Sequence, residues 1–593
     1  MAIDHLVLTA ANAAQARGYT AQLEDRQASG LLNGIGAWSV LADPADRRVG
    51  SGGSTLWVLY QLLRGWHAEA SGGDGDAATT FAEAFGGKRV VIVHSGGDSR
   101  RLVSYAAQGK VFTPLPCDVP GTGEPAALLD LILHQLDRLP APSAGQVLIA
   151  SGDVLLTFDP ASVDFEHEGV CGVAYPGPAS RGSKHGVYVL DGRGRVADFL
   201  QKPDEARARA AGAVDAVGRV LVDTGLVSLS PEAAGTLAAF AGVVPAKSKR
   251  ARPTLGPGLL RDLQRGASPA VDLYEQMLGA APRKVTRKRY LDTMTRGHTG
   301  ATAEDETHVE RLTALHEVMQ SLPLRVSVLP WCDFFHIGTH RELLANIDTL
   351  GRTAQRFGFV NGHLAAAPAG SATGEAFVHH SRLGSDRVKL APGSLIEGCD
   401  TDAAIDLGGP SLLVGLPPGL RRSAVVQLPE GWLMVATPVA PPERGAAPQE
   451  AKGNASGGGG GEASGGWAVV VAGLDDDFKT SVVDGGTFGN RPMAGLAERL
   501  GVDGEQLELA DGATLWDLPL WRVGTLAEAL AAGRWLIQRV AGEGPDAAAA
   551  PQRRLPGQRV SMRALLPRVD HERLVHGRRE LVRRVRLAQL EQE

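Results

Sequence analysis

In Val91-Ile-Val-His-Ser-Gly-Gly-Asp-Ser-Arg-Arg-Leu102, an apolar run leads straight into a glycine pair and two arginines, and Gly109-Lys110-Val-Phe112 follows soon after. That order describes a buried strand ending in a tight loop whose backbone N–H groups can face a phosphate. Arginines add bidentate donors for phosphate oxygens, and a lysine adds a mobile point charge. A polyphosphate is the ligand that suits Gly96, Gly97, Arg101 and Lys110 best. The same string also describes a plain strand–turn–helix junction with solvated cations, and a short motif alone does not separate the two.

A second glycine-rich stretch lies upstream, Arg47-Arg-Val-Gly-Ser-Gly-Gly-Ser-Thr-Leu56. Gly50, Ser51, Gly52, Gly53, Ser54 and Thr55 leave little side chain to obstruct a nucleotide. A helix beginning after Thr55 could aim its N-terminal donors at a phosphate. An ordinary βα turn is the other reading, but two such loops in one domain favour a nucleotide site. Val147-Leu-Ile-Ala-Ser-Gly-Asp153 places a carboxylate at the end of an apolar strand. There it could cap a turn or hold Mg2+, which needs few protein ligands when phosphates supply the rest. Gly186 to Pro203 reads as a hairpin whose second strand ends at Lys202, which could meet a monophosphate, although surface lysines commonly bind nothing. Asp223-Thr-Gly-Leu and Phe334-Phe-His336-Ile-Gly-Thr339 complete the candidates. A histidine beside aromatics is more often a packed core residue than a ligand.

These residues need a framework. Leu6–Thr9, Lys88–Val93 and Gln146–Ser151 read as strands, and 11–28, 57–67 and 126–139 as helices. The alternation predicts an α/β domain with a mainly parallel sheet, whose ligands sit at the carboxyl ends of the strands. After about residue 345, isolated Val, Leu and Ile stand among Gly, Ser, Asp and Pro. Leu390 and Ile396, six apart, suggest a solenoid-like or sandwich-like β module. The Gly/Ser-rich stretch 446–466 reads as a flexible linker, followed by a strand from Trp467 and a helical tail from Leu526.

Composition bounds the rest. A chain of 593 residues suggests two to four domains. With 60 basic against 66 acidic residues the net charge is −6, so nothing attracts nucleic acid or an anionic membrane globally. Cys117, Cys171, Cys332 and Cys399 lie far apart, as in a reducing compartment. The N-terminus lacks signal-peptide features and no apolar stretch reaches membrane-spanning length, so a soluble cytoplasmic protein is expected.

The order of motifs resembles the sugar-1-phosphate nucleotidyltransferases, specifically their fucose-1-phosphate guanylyltransferase (GDP-fucose pyrophosphorylase) branch. That module also forms the N-terminal half of bifunctional fucokinase/guanylyltransferase proteins. The resemblance rests on Leu8–Tyr19, Val49–Leu56, His94–Leu102, Gly109–Pro116 and Phe335–Thr339, and on Gly473–Lys479, Thr487-Phe488 and Leu515-Trp-Asp517 further on. In the superfamily the loop reads Gly-Gly-x-Gly-Thr-Arg-Leu, followed by Pro-Lys. Here Ser99 and Arg100 stand at the Gly-Thr positions, so Arg101 matches the signature arginine and Lys110 the lysine. Where the superfamily often has an acidic metal ligand before a late Gly-Thr pair, this chain has His336, and Asp223 is a substitute second carboxylate.

The resemblance implies a Rossmann-like nucleotidyltransferase domain over 1–345, a β-helix-like module over 346–445, the linker, and a small α+β segment over 467–593. It implies in-line attack of a sugar 1-phosphate, foremost L-fucose 1-phosphate, on the α-phosphorus of GTP. Arg101 and Lys110 would be catalytic, the two glycine stretches nucleotide-binding, Lys202 and His336 sugar-phosphate-binding, and Asp153 and Asp223 ligands of Mg2+. A separate sugar kinase is an implied partner. Another sugar or base, or a silent nucleotide-sugar-binding subunit, are the alternatives. Intrinsic kinase activity is not expected, because Leu255-Gly-Pro-Gly-Leu-Leu260 lacks the serines of a sugar-kinase phosphate loop.

Overall fold

The computed structural model describes residues 3–66, 77–246, 251–295, 306–360, 365–367, 376–441, 465–542, 555, 557 and 559–590. The chain forms two compact units. One comprises Met1–Thr20, Leu31–Gly97 and Asp130–His336, the other Ala21–Gly30, Asp98–Leu129 and Ile337–Glu593.

The first unit is built on a nine-stranded sheet. Ile35–Ala42, Ile3–Ala10, Arg89–His94 and Gln146–Ser151 lie side by side in parallel. Strands covered on both faces read as continuous apolar runs, and Leu6 to Leu8, Val90 to Val93 and Val147 to Ile149 are all buried. The expectation of a mainly parallel sheet holds only for this half. Arg219–Leu229 pairs antiparallel with Gln146–Ser151, Val170–Pro178 and Gly186–Leu190, and the last of these forms a hairpin with Val196–Gln201. A short connection such as Asp191-Gly-Arg-Gly194 can join only antiparallel neighbours. Leu324–Val328 adds a parallel edge to Val170–Pro178, so the sheet is mixed. Helix Gly50–Gly65 buries Leu56, Val58, Leu59, Leu62 and Leu63 in the core of this unit.

The second unit contains three ladders of short parallel strands. Phe377–His379, Leu395–Glu397, Leu412–Val414 and Trp432–Val439 make one ladder. Ala365–Ala366, Ser381–Leu383 and Asp400–Thr401 make another. Val388–Leu390, Ala404–Leu407 and Val425–Leu428 make the third. Apart from Trp432–Val439, buried along its whole length, the strands have two to four residues and bury only a few side chains each, among them Leu395, Ile396, Leu412 and Leu413. The linker expected over 446–466 lies outside the described residues save for its last two. Beyond it, Gly466–Gly473 pairs antiparallel along the whole of Trp432–Val439, and Trp521–Gly524 and Arg559–Val560 extend that sheet. Helices Leu526–Ala541 and His571–Leu590 follow. Among the described residues no helix is long and apolar enough to cross a membrane.

Candidate active site

The strand Arg89–His94 ends on a histidine that holds the following loop. Burial pushes His94 down to about 4, so it is a neutral hydrogen-bonding group. Its Nε2 lies 2.9 Å from the Thr55 hydroxyl, and the Ser95 hydroxyl donates to the Thr9 carbonyl at 2.9 Å. The Gln15 side-chain amide donates to the Gly97 carbonyl at 2.9 Å. Ser99, buried, takes the left-handed conformation (φ 56°), and the Leu102 N–H closes a turn onto its carbonyl. Among the described residues no acceptor takes the backbone N–H of Gly96, Ser99, Arg100 or Arg101. The two arginines differ. Arg100 is paired with Asp98 at 3.2 Å and lies over the Trp516 ring, whereas Arg101 is exposed.

Ser95 to Gly97 belong to the first unit, and Asp98 onward to the second. Lys110, also in the second, opens a single 3-10 turn after Gly109, whose φ is 85°. Its Nζ donates to the Gly338 carbonyl over a long 3.4 Å. Gly338 is fixed in turn, because Glu342 accepts its N–H while closing a capping box with Thr339.

In the first unit, Asp153 sits in the turn between Gln146–Ser151 and Val154–Thr157. Its Oδ1 accepts from the Ser151 hydroxyl at 2.6 Å, and its Oδ2 lies 3.6 Å from His336 Nε2. His336 arrives there because Asp333–His336 pairs antiparallel with Val154–Thr157, placing it opposite Val154. Both side chains are about one-third exposed, at 31% for His336 and 33% for Asp153. Lys202 is exposed at the end of the hairpin, with φ 44° and its N–H on the His185 carbonyl at 3.1 Å.

Three basic residues join this group that the sequence reading passed over. Burial pushes His185 down to about 4, and His336, Arg181, Lys202 and Lys184 depress it further. The Arg181 guanidinium donates to the Phe334 carbonyl at 3.1 Å and overlies that ring, and the His185 ring packs on Phe334 at 4.5 Å. Ser180-Arg-Gly-Ser-Lys-His185 carried the signal as a basic run immediately before the hairpin. The structure thus gathers Asp153, His336 and Lys202 with Arg181, Lys184 and His185, a cationic basin beside one carboxylate.

Asp223 differs from Asp153. It lies inside Arg219–Leu229 and is only 5% exposed. Burial pushes its carboxyl from 3.8 up to about 7, against the pull of the Gly225 N–H and the Tyr188 hydroxyl. Tyr274, whose hydroxyl donates to the Gly225 carbonyl at 3.0 Å, feels the charges of both Asp223 and Asp153. The unfolded chain loses this proton near 4, while the folded carboxyl keeps it to about 7, so stability falls across that interval and is level above it. Asp223→Asn is therefore expected to raise stability at pH 8 by roughly 4 kcal/mol and to flatten the profile between pH 4 and 7. Urea unfolding over that range checks this.

Gly50 to Thr55 do not form a loop. They are the first turns of helix Gly50–Gly65, and the Gly52 and Gly53 N–H groups donate to the Val271 carbonyl at 2.9 and 3.1 Å. The Ser51 hydroxyl donates to Asp272 at 2.8 Å, the Ser54 hydroxyl to Asp43, and the Thr55 hydroxyl meets His94. Of the donors expected for a nucleotide, the Gly52 and Gly53 N–H groups and the three hydroxyls are used by the fold. Gly50 has φ 79°, and a Cβ there would overlap the Val271 carbonyl. Gly50→Ala is expected to lower stability by about 3 kcal/mol, from left-handed strain plus overlap, as thermal or urea unfolding would show.

A family model described as a fucose pyrophosphorylase domain matches residues 82–523. The matched region contains every candidate above except Gly50 to Thr55. A bifunctional fucokinase/GDP-fucose pyrophosphorylase of Arabidopsis thaliana is 26% identical over 573 residues, covering 90% of this chain and 48% of that protein. A fucose-1-phosphate guanylyltransferase of Mus musculus is 26% identical over 433 residues, 68% of this chain and 67% of that protein. An L-fucokinase/L-fucose-1-P guanylyltransferase of Bacteroides fragilis is 32% identical over 203 residues, 33% of this chain and 20% of that protein. The chain thus spans about half the length of the plant relative.

Proposed function

The chain belongs to the fucose pyrophosphorylase family, and on that premise we propose that it joins L-fucose 1-phosphate to GTP, releasing pyrophosphate and GDP-fucose. The observation that carries this reading is the basin formed by Arg181, Lys184, Lys202, His185 and His336 beside Asp153. Several cations round a neutral histidine suit a phosphate dianion, because each additional positive charge is otherwise repelled.

In the reaction, an oxygen of the sugar phosphate attacks the α-phosphorus of GTP in line. A new P–O bond forms there as the bond to the bridging oxygen of the leaving pyrophosphate breaks. A phosphate dianion needs no base, so the protein's task is positioning and charge neutralisation. Lys202, Arg181 and His336 would hold the sugar phosphate. In the first unit, Gly96, with an open amide, and Gly97 would meet the triphosphate; for Arg101 and Lys110, in the second, the family likeness supports triphosphate binding and neutralisation of the charge on departing pyrophosphate. Gly50 to Thr55 would act by positioning, through the Thr55–His94 contact that steadies the loop.

Asp153 fits a magnesium ligand, since it is a partly exposed carboxylate whose remaining coordination partners the phosphates could supply. Asp223 fits less well, because a carboxyl raised to about 7 binds a cation only after losing a proton that burial favours. Mg2+ held at Asp153 would supply further neutralisation of phosphate charge. In this reading the first unit is Rossmann-like, and the second carries a β-helix-like coil of three ladders together with Arg101 and Lys110, in a cytoplasmic protein fed by a separate sugar kinase.

A pyrophosphate-release screen of four nucleoside triphosphates against a panel of sugar 1-phosphates, with and without Mg2+, tests the proposal. GTP with L-fucose 1-phosphate and Mg2+ should give the highest rate. Ligand binding by calorimetry with no pyrophosphate from any pair would point instead to a silent nucleotide-sugar-binding subunit. Phosphorylation of free fucose by ATP would contradict the exclusion of kinase activity.

A further inference from the structure

We infer that His379, His380 and Glu397, all in the second unit, form a binding site for a divalent transition metal, with Zn2+ the best match to two imidazoles and a carboxylate. One ligand atom from each of the three residues lies within 4.8 Å of the others, and all three residues are buried. Parallel pairing of Phe377–His379 with Leu395–Glu397 sets His379 directly beside Glu397. Neighbouring side chains on a strand normally point to opposite faces. His380 escapes this because it adopts the left-handed conformation, φ 47°, and its ring turns to within 5.0 Å of the His379 ring. A buried histidine held in that region is unusual, and such strain persists where a site requires it.

The spacing also fits a metal better than a hydrogen bond. His380 Nδ1 is 3.9 Å from Glu397 Oε1. That is too long for hydrogen bonding and leaves room for a shared ion, whose two bonds of about 2.0 Å at a tetrahedral angle would draw the two atoms to about 3.3 Å. His380 Nε2 is buried without a hydrogen-bond partner. Arg578 holds the Glu397 carboxylate through two hydrogen bonds, 2.8 and 3.0 Å. A carboxylate offers about four lone-pair sites, so this clamp leaves room for an ion and orients the ligand as outer partners of metal sites do. Tyr105 and Cys399 lie near Glu397, and Asp118 near His380, and these groups surround the three ligands.

The test uses the full-length chain stripped with a chelator and then given Co2+ or Zn2+. One equivalent should be retained after desalting, with Co2+ giving tetrahedral d–d absorption and Zn2+ raising the melting temperature by several degrees. Asn tolerates the left-handed conformation, so His380→Asn should fold yet lose the absorption and the Zn2+ shift. Asp153→Asn should keep both. His379→Gln, read the same way, serves if His380→Asn does not fold. Wild-type protein retaining no stoichiometric ion, or His380→Asn binding as tightly as wild type, would overturn the assignment.

Discussion

Lys110→Ala is expected to lower kcat with GTP and L-fucose 1-phosphate about a hundred- to thousandfold, the range seen when one preorganised donor to developing charge is removed. The fold should be nearly indifferent. Lys110 is partly exposed on a single 3-10 turn, and its hydrogen bond to the Gly338 carbonyl is long and contributes little. The loss should therefore appear in turnover, with the melting temperature within about 2 °C of wild type. Lys110→Arg keeps the charge but presents a rigid fork in place of a point charge, and should recover only part of the rate. Steady-state kinetics with circular dichroism melting separates the two effects. Near-normal turnover in a folded Lys110→Ala protein would remove this residue from the mechanism.

Asp153→Asn is expected to be at least as damaging, about a thousandfold or more in kcat, and raising Mg2+ tenfold should not restore it. The substitution is nearly isosteric, and an amide oxygen can still accept from the Ser151 hydroxyl 2.6 Å away. What disappears is the negative charge at the edge of a basin formed by His336, His185, Arg181, Lys184 and Lys202. If Asp153 merely capped its turn, the variant would lose stability and keep its rate. Rates recovered by excess Mg2+ would mean that other groups hold the ion.

The parallel half of the first sheet was legible because strands buried on both faces must be written as apolar runs. Leu6 to Leu8, Val90 to Val93 and Val147 to Ile149 show no other pattern. The antiparallel half was readable only at its hairpin, since nothing local announces that Arg219–Leu229 will reverse direction beside Gln146–Ser151. Gly50 to Thr55 misled for a definite reason. Glycine and serine are poor helix formers, yet the Val271 carbonyl and Asp272 engage the helix start from far along the chain. Burial of Leu56, Leu59 and Leu63 then outweighs propensity.

Asp153 and His336 stood out as candidates because each sits in a short string whose chemistry is visible, and the structure sets them 3.6 Å apart. Their juxtaposition was not visible, because it depends on the pairing of His336 with Val154. Arg181, Lys184 and His185 escaped notice because basic residues ahead of a strand read the same whether solvated or functional. His379 and Glu397 are likewise joined only by ladder register.

Phosphorus NMR of a reaction using L-fucose 1-phosphate, labelled with 18O in its non-bridging phosphate oxygens, tests the central claim most directly. If the sugar phosphate attacks the α-phosphorus of GTP, all of the label stays in GDP-fucose and the pyrophosphate is unlabelled. Label in the pyrophosphate, or GTP left unchanged beside intact sugar phosphate, would contradict the account.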